Sequence, residues 1–273
     1  MIKHVLQACL ALAIVGAGPV HSHDLFVAFP DSPVKPGEAV SAHVNNGTFE
    51  ESAGPVTPSR LRDVTFLQAG QRSHPDAARW KAEGKQSRLS LTPATAGTAM
   101  LGVSTQPTVS ERSASEFATY LKLEDLPDTL ASYDPARYPK GVRYAYAKHA
   151  RAILQSGEAR TDDYADSLDY PLEIRLSRHP ATVAPGERLG FEVLYRGKPV
   201  SGLRVHVGRG TEAAGGPAPP AQLLRTDAQG RGEFEVTKAA IWYIHTNRME
   251  PTTEDGLDFI SDRASLTFHV GAH

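Results

Sequence analysis

Apolar side chains recur at every second position in short runs along this chain. The first half carries Leu25/Val27/Phe29, Val40/Ala42/Val44, Val64/Phe66 and Leu89/Leu91. The second half carries Leu172/Ile174/Leu176, Leu189/Phe191/Val193, Leu203/Val205/Val207, Phe234/Val236, Trp242/Ile244 and Ala264/Leu266/Phe268/Val270. A period of two puts one face of a strand in a core and the other in a polar setting, so each run predicts a strand, and Gly97 to Val103 predicts another. Two runs follow the same turn: Val34-Lys35-Pro36-Gly37-Glu38 leads into Val40, and Val183-Ala184-Pro185-Gly186-Glu187 leads into Leu189, 149 residues later. A repeated Pro-Gly turn entering an alternating strand predicts two related sandwich modules.

Between the halves the spacing changes. Phe117, Tyr120, Leu121 and Leu123 recur mostly at helical spacing up to Pro127, and Val142, Tyr146, Ala150, Ile153 and Leu154 form a second stripe closed by Gly157; each predicts a helix. The expected fold is therefore mainly β. It has two immunoglobulin-like or transthyretin-like β-sandwich domains, at residues 23–112 and 168–273, and a helical connecting segment at 113–167. Ala213 to Pro220 predicts a surface loop, and Thr226-Asp227-Ala228-Gln229-Gly230 a tight turn.

Composition agrees with this picture. Among 273 residues, 20 are proline and 23 glycine, which suits many short strands better than a helix bundle. With 40% apolar residues, 22% charged and a formal charge of −2, nothing marks a disordered chain or an electrostatic nucleic-acid binder. Lys3 and His4 precede an apolar stretch from Val5 to Ala17, followed by the small-x-small site Val20-His21-Ser22, so residues 1–22 read as a cleaved signal peptide and the mature protein as periplasmic. Cys9 is the one cysteine, and the apolar core follows it rather than preceding it, against a lipoprotein box. No later segment approaches the ~20 continuous apolar residues of a spanning helix.

Several short segments occur in a specific order: His23-Asp24-Leu25-Phe26, Glu116-Phe117-Ala118-Thr119-Tyr120-Leu121, Arg143-Tyr144-Ala145-Tyr146-Ala147-Lys148-His149-Ala150, Pro171-Leu172-Glu173-Ile174, Gly197-Lys198-Pro199-Val200-Ser201-Gly202, Thr226 to Gly230, and Trp242 with Ala264-Ser265-Leu266-Thr267-Phe268. In this order the chain resembles the exported bacterial family known as domain of unknown function (DUF) family 4198. The resemblance implies a periplasmic sandwich protein and, because some members are associated with nickel and cobalt uptake, a transition-metal role. The chain departs from the family in one place: relatives often carry His-Met after the tryptophan, whereas this chain has Arg248-Met249 with His245 three residues earlier.

Cleavage after Ser22 would free an α-amino group beside the His23 imidazole, and together they chelate a metal; neutral nitrogen donors suit Cu, Ni or Zn. The expected partners are His149, on the second helix, and His245, on a late strand. Affinity should then fall as pH drops through the ~6.5 of an ordinary histidine. His43, His206 and His269 alternate out of phase with apolar neighbours and are expected to face solvent, and His179 sits in a turn. Glu250, Glu254, Asp255, Asp258 and Asp262 read as a solvated acidic run, without the spacing of a calcium loop. Tyr144, Tyr146 and Trp242 either floor a ligand groove or belong to a core. No HExxH, CxxC, Gly-x-Ser-x-Gly elbow or phosphate-cradling glycine loop occurs, so no enzyme and no organic cofactor is expected.

The leading expectation is an exported binding protein that captures or presents nickel, cobalt or copper to an envelope transporter component. The alternative is a metal-free immunoglobulin-like binding or adhesion module that recognises a protein or glycan. A third reading is a copper oxidase or oxygenase using an amino-terminal histidine brace, which would need redox cycling at an open coordination position.

Overall fold

A computed structural model describes residues 24–30, 32–210 and 221–271. The expected signal peptide, His23 and the loop from Ala213 to Pro220 lie outside these residues.

The first half contributes β1 (Asp24–Ala28), β2 (Val40–Gly47), β3 (Leu61–Gln68), β4 (Gln71–Ser73), β5 (Trp80–Glu83), β6 (Gln86–Leu91), β7 (Gly97–Thr105) and β8 (Thr108–Arg112). The middle contributes α1 (Ala114–Leu123), α2 (Pro127–Ser132) and β9 (Val142–Ser156). The last part contributes β10 (Leu172–Leu176), β11 (Arg188–Tyr195), β12 (Lys198–Pro199), β13 (Arg204–Arg209), β14 (Gln222–Arg225), β15 (Arg231–Glu235), β16 (Ala240–Pro251) and β17 (Phe259–Val270). The fold is mainly β and sandwich-like, as the alternation predicts.

The strands form three sheets. A nine-stranded sheet runs β14-β13-β16-β17-β9-β7-β3-β4, with β8 also pairing β9. A four-stranded sheet, β1-β2-β6-β5, covers one face of it, and a second, β10-β11-β12 with β15 on β11, covers the other. Leu25, Val27, Val44 and Leu89 of the first small sheet pack against Leu101, Val103, Ala150 and Leu154. Leu172, Ile174, Phe191 and Phe234 of the second pack against Ile153, Trp242, Leu266 and Phe268. The repeated Pro-Gly-Glu turn has one structural meaning at both sites. Gly37 and Gly186 take φ of +82° and +92°, which favours glycine, and each turn delivers the chain into the second strand of its small sheet.

The helix expected from Val142 to Gly157 is instead β9, the longest strand, and it corrects the picture of two sandwiches joined only by helices. β9 pairs β7 of the first half and, in parallel, β17 of the last, so one sheet passes through both sandwiches. Nearly every residue of β9 and β17 is buried, because small sheets lie over both faces here. A strand covered on both sides loses its alternation, and the alanines of β9 add a helical look that tertiary packing overrides. The earlier helix does form. Ser113 and Glu116 make a reciprocal capping box at its start, and Phe117 and Leu121 are buried.

From Ser261 to Thr267 the odd-numbered residues of β17 are polar yet buried, and with His269 they explain how β1 is held. Ser265 Oγ donates to the Leu25 carbonyl at 2.5 Å, Thr267 Oγ1 donates to the Val27 carbonyl, and the His269 ring donates from Nε2 to the Phe29 carbonyl at 2.6 Å. A ladder of side chains thus satisfies carbonyls along β1 at a period of two, as buried backbone groups require. His269 is therefore half-buried and bonded, not turned to solvent.

Candidate functional site

The ladder continues to the first residue of β1. Asp24 is 4% exposed; its Oδ1 accepts from Arg263 Nη1 at 3.0 Å and its Oδ2 from His245 Nδ1 at 2.9 Å. Burial alone would resist ionisation of this carboxyl, but Arg263, His245 and Lys148 outweigh it and hold the group far below the usual carboxylate range. Arg263 also reaches Glu124 Oε2 at 2.7 Å and the Tyr120 hydroxyl at 3.0 Å, which ties the end of α1 to the same point. Lys148 of β9 donates to Asn46 Oδ1 at 2.6 Å; burial, reinforced by Arg263, pushes its ammonium down to about 8.

His245 of β16 stands directly opposite His206 of β13 in the ladder. Their rings stack with centroids 4.8 Å apart and planes 19° from parallel. His206 Nε2 lies 3.1 Å from Asp125 Oδ2, in the turn between α1 and α2, and Asp125 also pairs with Arg204. Phe26 and Tyr243 flank His245, with ring centroids 5.6 and 5.9 Å away. Burial and then the neighbouring His245 lower the His206 pKa. His206 does point away from Val205 and Val207, as expected, but His245 and the α1–α2 turn cover part of that face, so the ring is half-buried rather than free in solvent.

The other expected partner, His149, lies elsewhere. In the ladder His245 is opposite Ser265, whereas His149 is opposite Ala264, so successive positions of β17 put the two imidazoles on opposite faces of the sheet. His149 donates from Nε2 to Asp262 Oδ1 at 3.0 Å and accepts at Nδ1 from Ser104 Oγ at 2.9 Å, with the Tyr170 ring 5.7 Å away. The sequence of groups is that of a hydrolytic triad, but Ser104 and His149 are each 1% exposed, so no substrate reaches the hydroxyl. It is a buried polar chain that holds β7, β9 and β17 together.

The aromatic groove does not form either. Trp242 lies in the core between the central sheet and the second small sheet and donates to the Lys238 carbonyl at 3.0 Å. Tyr144 packs on the opposite face with Phe117 and Phe259, and Tyr146 lies beside it. The acidic run is dispersed: Glu250 pairs with Arg248, Asp258 accepts from the Arg143 amide, and Asp262 belongs to His149. Among the described residues no three His, Cys, Asp or Glu side chains converge as a metal-binding set. Sequence reasoning singled out His245 but missed Asp24, Asp125 and His206, which only cross-strand register and the helical turn bring together.

No helix among the described residues is long and apolar enough to cross a membrane. No curated protein matches the chain. Similar solved structures include the D0-D1 domain of intimin, at 11% identity and a TM-score of 0.23, covering 90% of this chain and 97% of that one. The Escherichia coli adhesin FdeC aligns at 15% identity and a TM-score of 0.22, covering 93% and 66%. Trypsin-activated alpha-2-macroglobulin from Escherichia coli aligns at 11% and 0.21, covering 92% and 16%. Scores this low carry no argument about function. A family model, by contrast, matches residues 20–250, and on that match the chain belongs to the family described as domain of unknown function DUF4198.

Proposed function

We propose that the protein is exported to the periplasm as a mature chain beginning at His23, and that it captures or presents a transition-metal ion, nickel, cobalt or copper, to an envelope uptake system. His23 and His245 are its first ligands, and the ion is cargo, so no covalent bond is made or broken. The observation that carries this reading is the 2.9 Å contact between His245 Nδ1 and Asp24, because Asp24 follows His23 directly and consecutive Cα atoms are about 3.8 Å apart. Cleavage after Ser22 would set a free amine and an imidazole one residue away from a ring already held in orientation. Three neutral nitrogen donors suit a borderline divalent ion. His149, on the opposite face of the sheet, takes no part.

Mass spectrometry of the protein from the periplasm reads the first residue and any bound metal. Calorimetry with Cu(II) and Ni(II) then compares it with His23→Ala and with a mature chain lengthened by one residue, which turns the amine into an amide. Each change is expected to weaken binding at least about tenfold, or ~1.4 kcal/mol. An intact Met1, a lipid on Cys9, or equal affinities in all three proteins would overturn the proposal and favour the metal-free binding or adhesion module.

A further inference from the structure

A cleft of about 270 Å³ lies between α2, the loop from Val200 to Arg204 and the last residues of β16. It exists because the β13–β16 ladder ends at His206–His245, while β16 runs on to Pro251, paired there only with β17 among the described residues. Arg204 and Asn247 come next opposite each other, and alternation puts them on the face that carries His206 and His245. Thr246 Oγ1 donates to the Arg204 carbonyl at 2.6 Å, so the two strands are still adjacent at this point. A guanidinium presents five N–H donors on a rigid fork. Arg204 uses Nη1 on Asp125 Oδ1, and its other edge, Nε with Nη2, has no hydrogen-bond partner among the described residues. Asn247 accepts from Ser261 Oγ at 2.7 Å through Oδ1, and its Nδ2 likewise has no partner among them. Covered donors without acceptors are uncommon in folded proteins, because each keeps its desolvation cost.

We propose that this cleft binds a small carboxylate, held by the Nε–Nη2 edge of Arg204 and by Nδ2 of Asn247. Both unpaired groups are donors and one is cationic, which selects an anionic acceptor, and a planar carboxylate matches the edge of a guanidinium with two parallel hydrogen bonds. The acidic residues of the lining already hold cations: Asp125 has Arg204 and His206, Asp128 has both Nη atoms of Arg225 at 2.7 and 3.1 Å, and Glu250 has Arg248. A phosphate would bring a second negative charge close to these three, so the single charge of a carboxylate is the better match. Leu126, Val200, Leu203 and Met249 supply apolar wall. Pockets for drug-sized ligands begin at about 300 Å³, so the occupant is small, an organic acid of a few carbons or the end of a peptide. A peptide added antiparallel to β16 follows the line and direction of β13, which brings its carboxy end to Arg204. Thr129 Oγ1 already donates to the Met249 carbonyl at 2.9 Å, so only the last residue or two of such a peptide fits. Arg204 and Asn247 take no part in the proposed metal site, so the two sites stand or fall separately.

The test is NMR of the full chain, labelled with 15N and titrated to millimolar concentration with acetate, with acetyl-alanyl-alanine and with the carboxamide of that peptide. A free carboxylate is expected to shift the Arg204 Nε–H and Asn247 Nδ2–H signals together, and the carboxamide to leave them in place. Arg204→Lys keeps the charge beside Asp125 but loses the two-pronged edge. Asn247→Asp keeps the shape and the acceptor for Ser261 but puts a negative charge where the donor was. Each should weaken carboxylate binding at least about tenfold. The signals of the unsubstituted chain decide the matter even where a variant fails to fold. Tighter binding of the peptide than of acetate assigns the carboxylate to a chain end, and equal binding assigns it to a free organic acid; both outcomes support the proposal. No shift at Arg204 and Asn247, equal shifts with the carboxamide, or full affinity in both variants would overturn it.

Discussion

His149 and His245 stand on opposite faces of one sheet, in strands separated by β17, and each is hydrogen-bonded to an aspartate at 3.0 and 2.9 Å. Around His149 the covering layer is complete, and both ring nitrogens are used within the fold. Around His245 three separate elements meet: the start of β1, the α1–α2 turn, and the β13–β16 pair. Where layers close, an imidazole–carboxylate pair contributes only to stability; where elements meet at a rim, the same pair keeps a nitrogen available for a ligand. The difference lies in the cover, not in the pair.

The largest expected effect tests the rim. Asp24→Ala would leave the buried Arg263 guanidinium short of a carboxylate, and urea denaturation should show a loss of about 3–5 kcal/mol. A loss no larger than that of an exposed pair would mean that the start of β1 is not held as described. The next effect has the opposite sign. Lys148 is charged at neutral pH although burial depresses its folded-state pKa to about 8, and the shift from the ordinary 10.5 corresponds, at about 1.36 kcal/mol per pKa unit, to about 3 kcal/mol of destabilisation. Lys148→Met should therefore stabilise the protein at pH 7 by roughly that amount. Between pH 8 and 10.5 the folded state binds fewer protons than the unfolded state, so wild-type stability should rise relative to the variant across this window. Parallel pH profiles would refute the assignment.

On the sealed face, Ser104→Ala leaves His149 Nδ1 buried without its donor and should cost about 1–3 kcal/mol, with Cu(II) and Ni(II) affinity unchanged. A fall in affinity would erase the contrast between the faces. The smallest stability change is expected at His206→Gln, at about 0–1 kcal/mol, because its pair with Asp125 is partly exposed. A small effect on folding at His206 and a larger one at Ser104 would sharpen the comparison.

Much of the fold is legible in local pattern. Leu25/Val27/Phe29, Leu189/Phe191/Val193 and Ala264/Leu266/Phe268/Val270 all lie in or beside strands with those residues buried, and Phe117 and Leu121 mark a real helix. The candidate site was legible only in part. His245 stood out by its place after Trp242, whereas His206 was set aside because alternation shows which side of a strand is apolar but not what covers the other side.

By itself the sequence determined the elements whose pattern is local: the alternating strands, the paired Pro-Gly-Glu turns and the capped helix. Tertiary structure alone decided that β9 is a strand, that one sheet serves both sandwiches, and that Arg263, Ser265, Thr267 and His269 bind β1 rather than water. These depend on contacts between residues far apart in the chain, 240 positions in the case of Ser265 with Leu25. A strand enclosed on both faces has no polar side to report its period, and a polar residue reads the same whether its partner is solvent or a buried carbonyl.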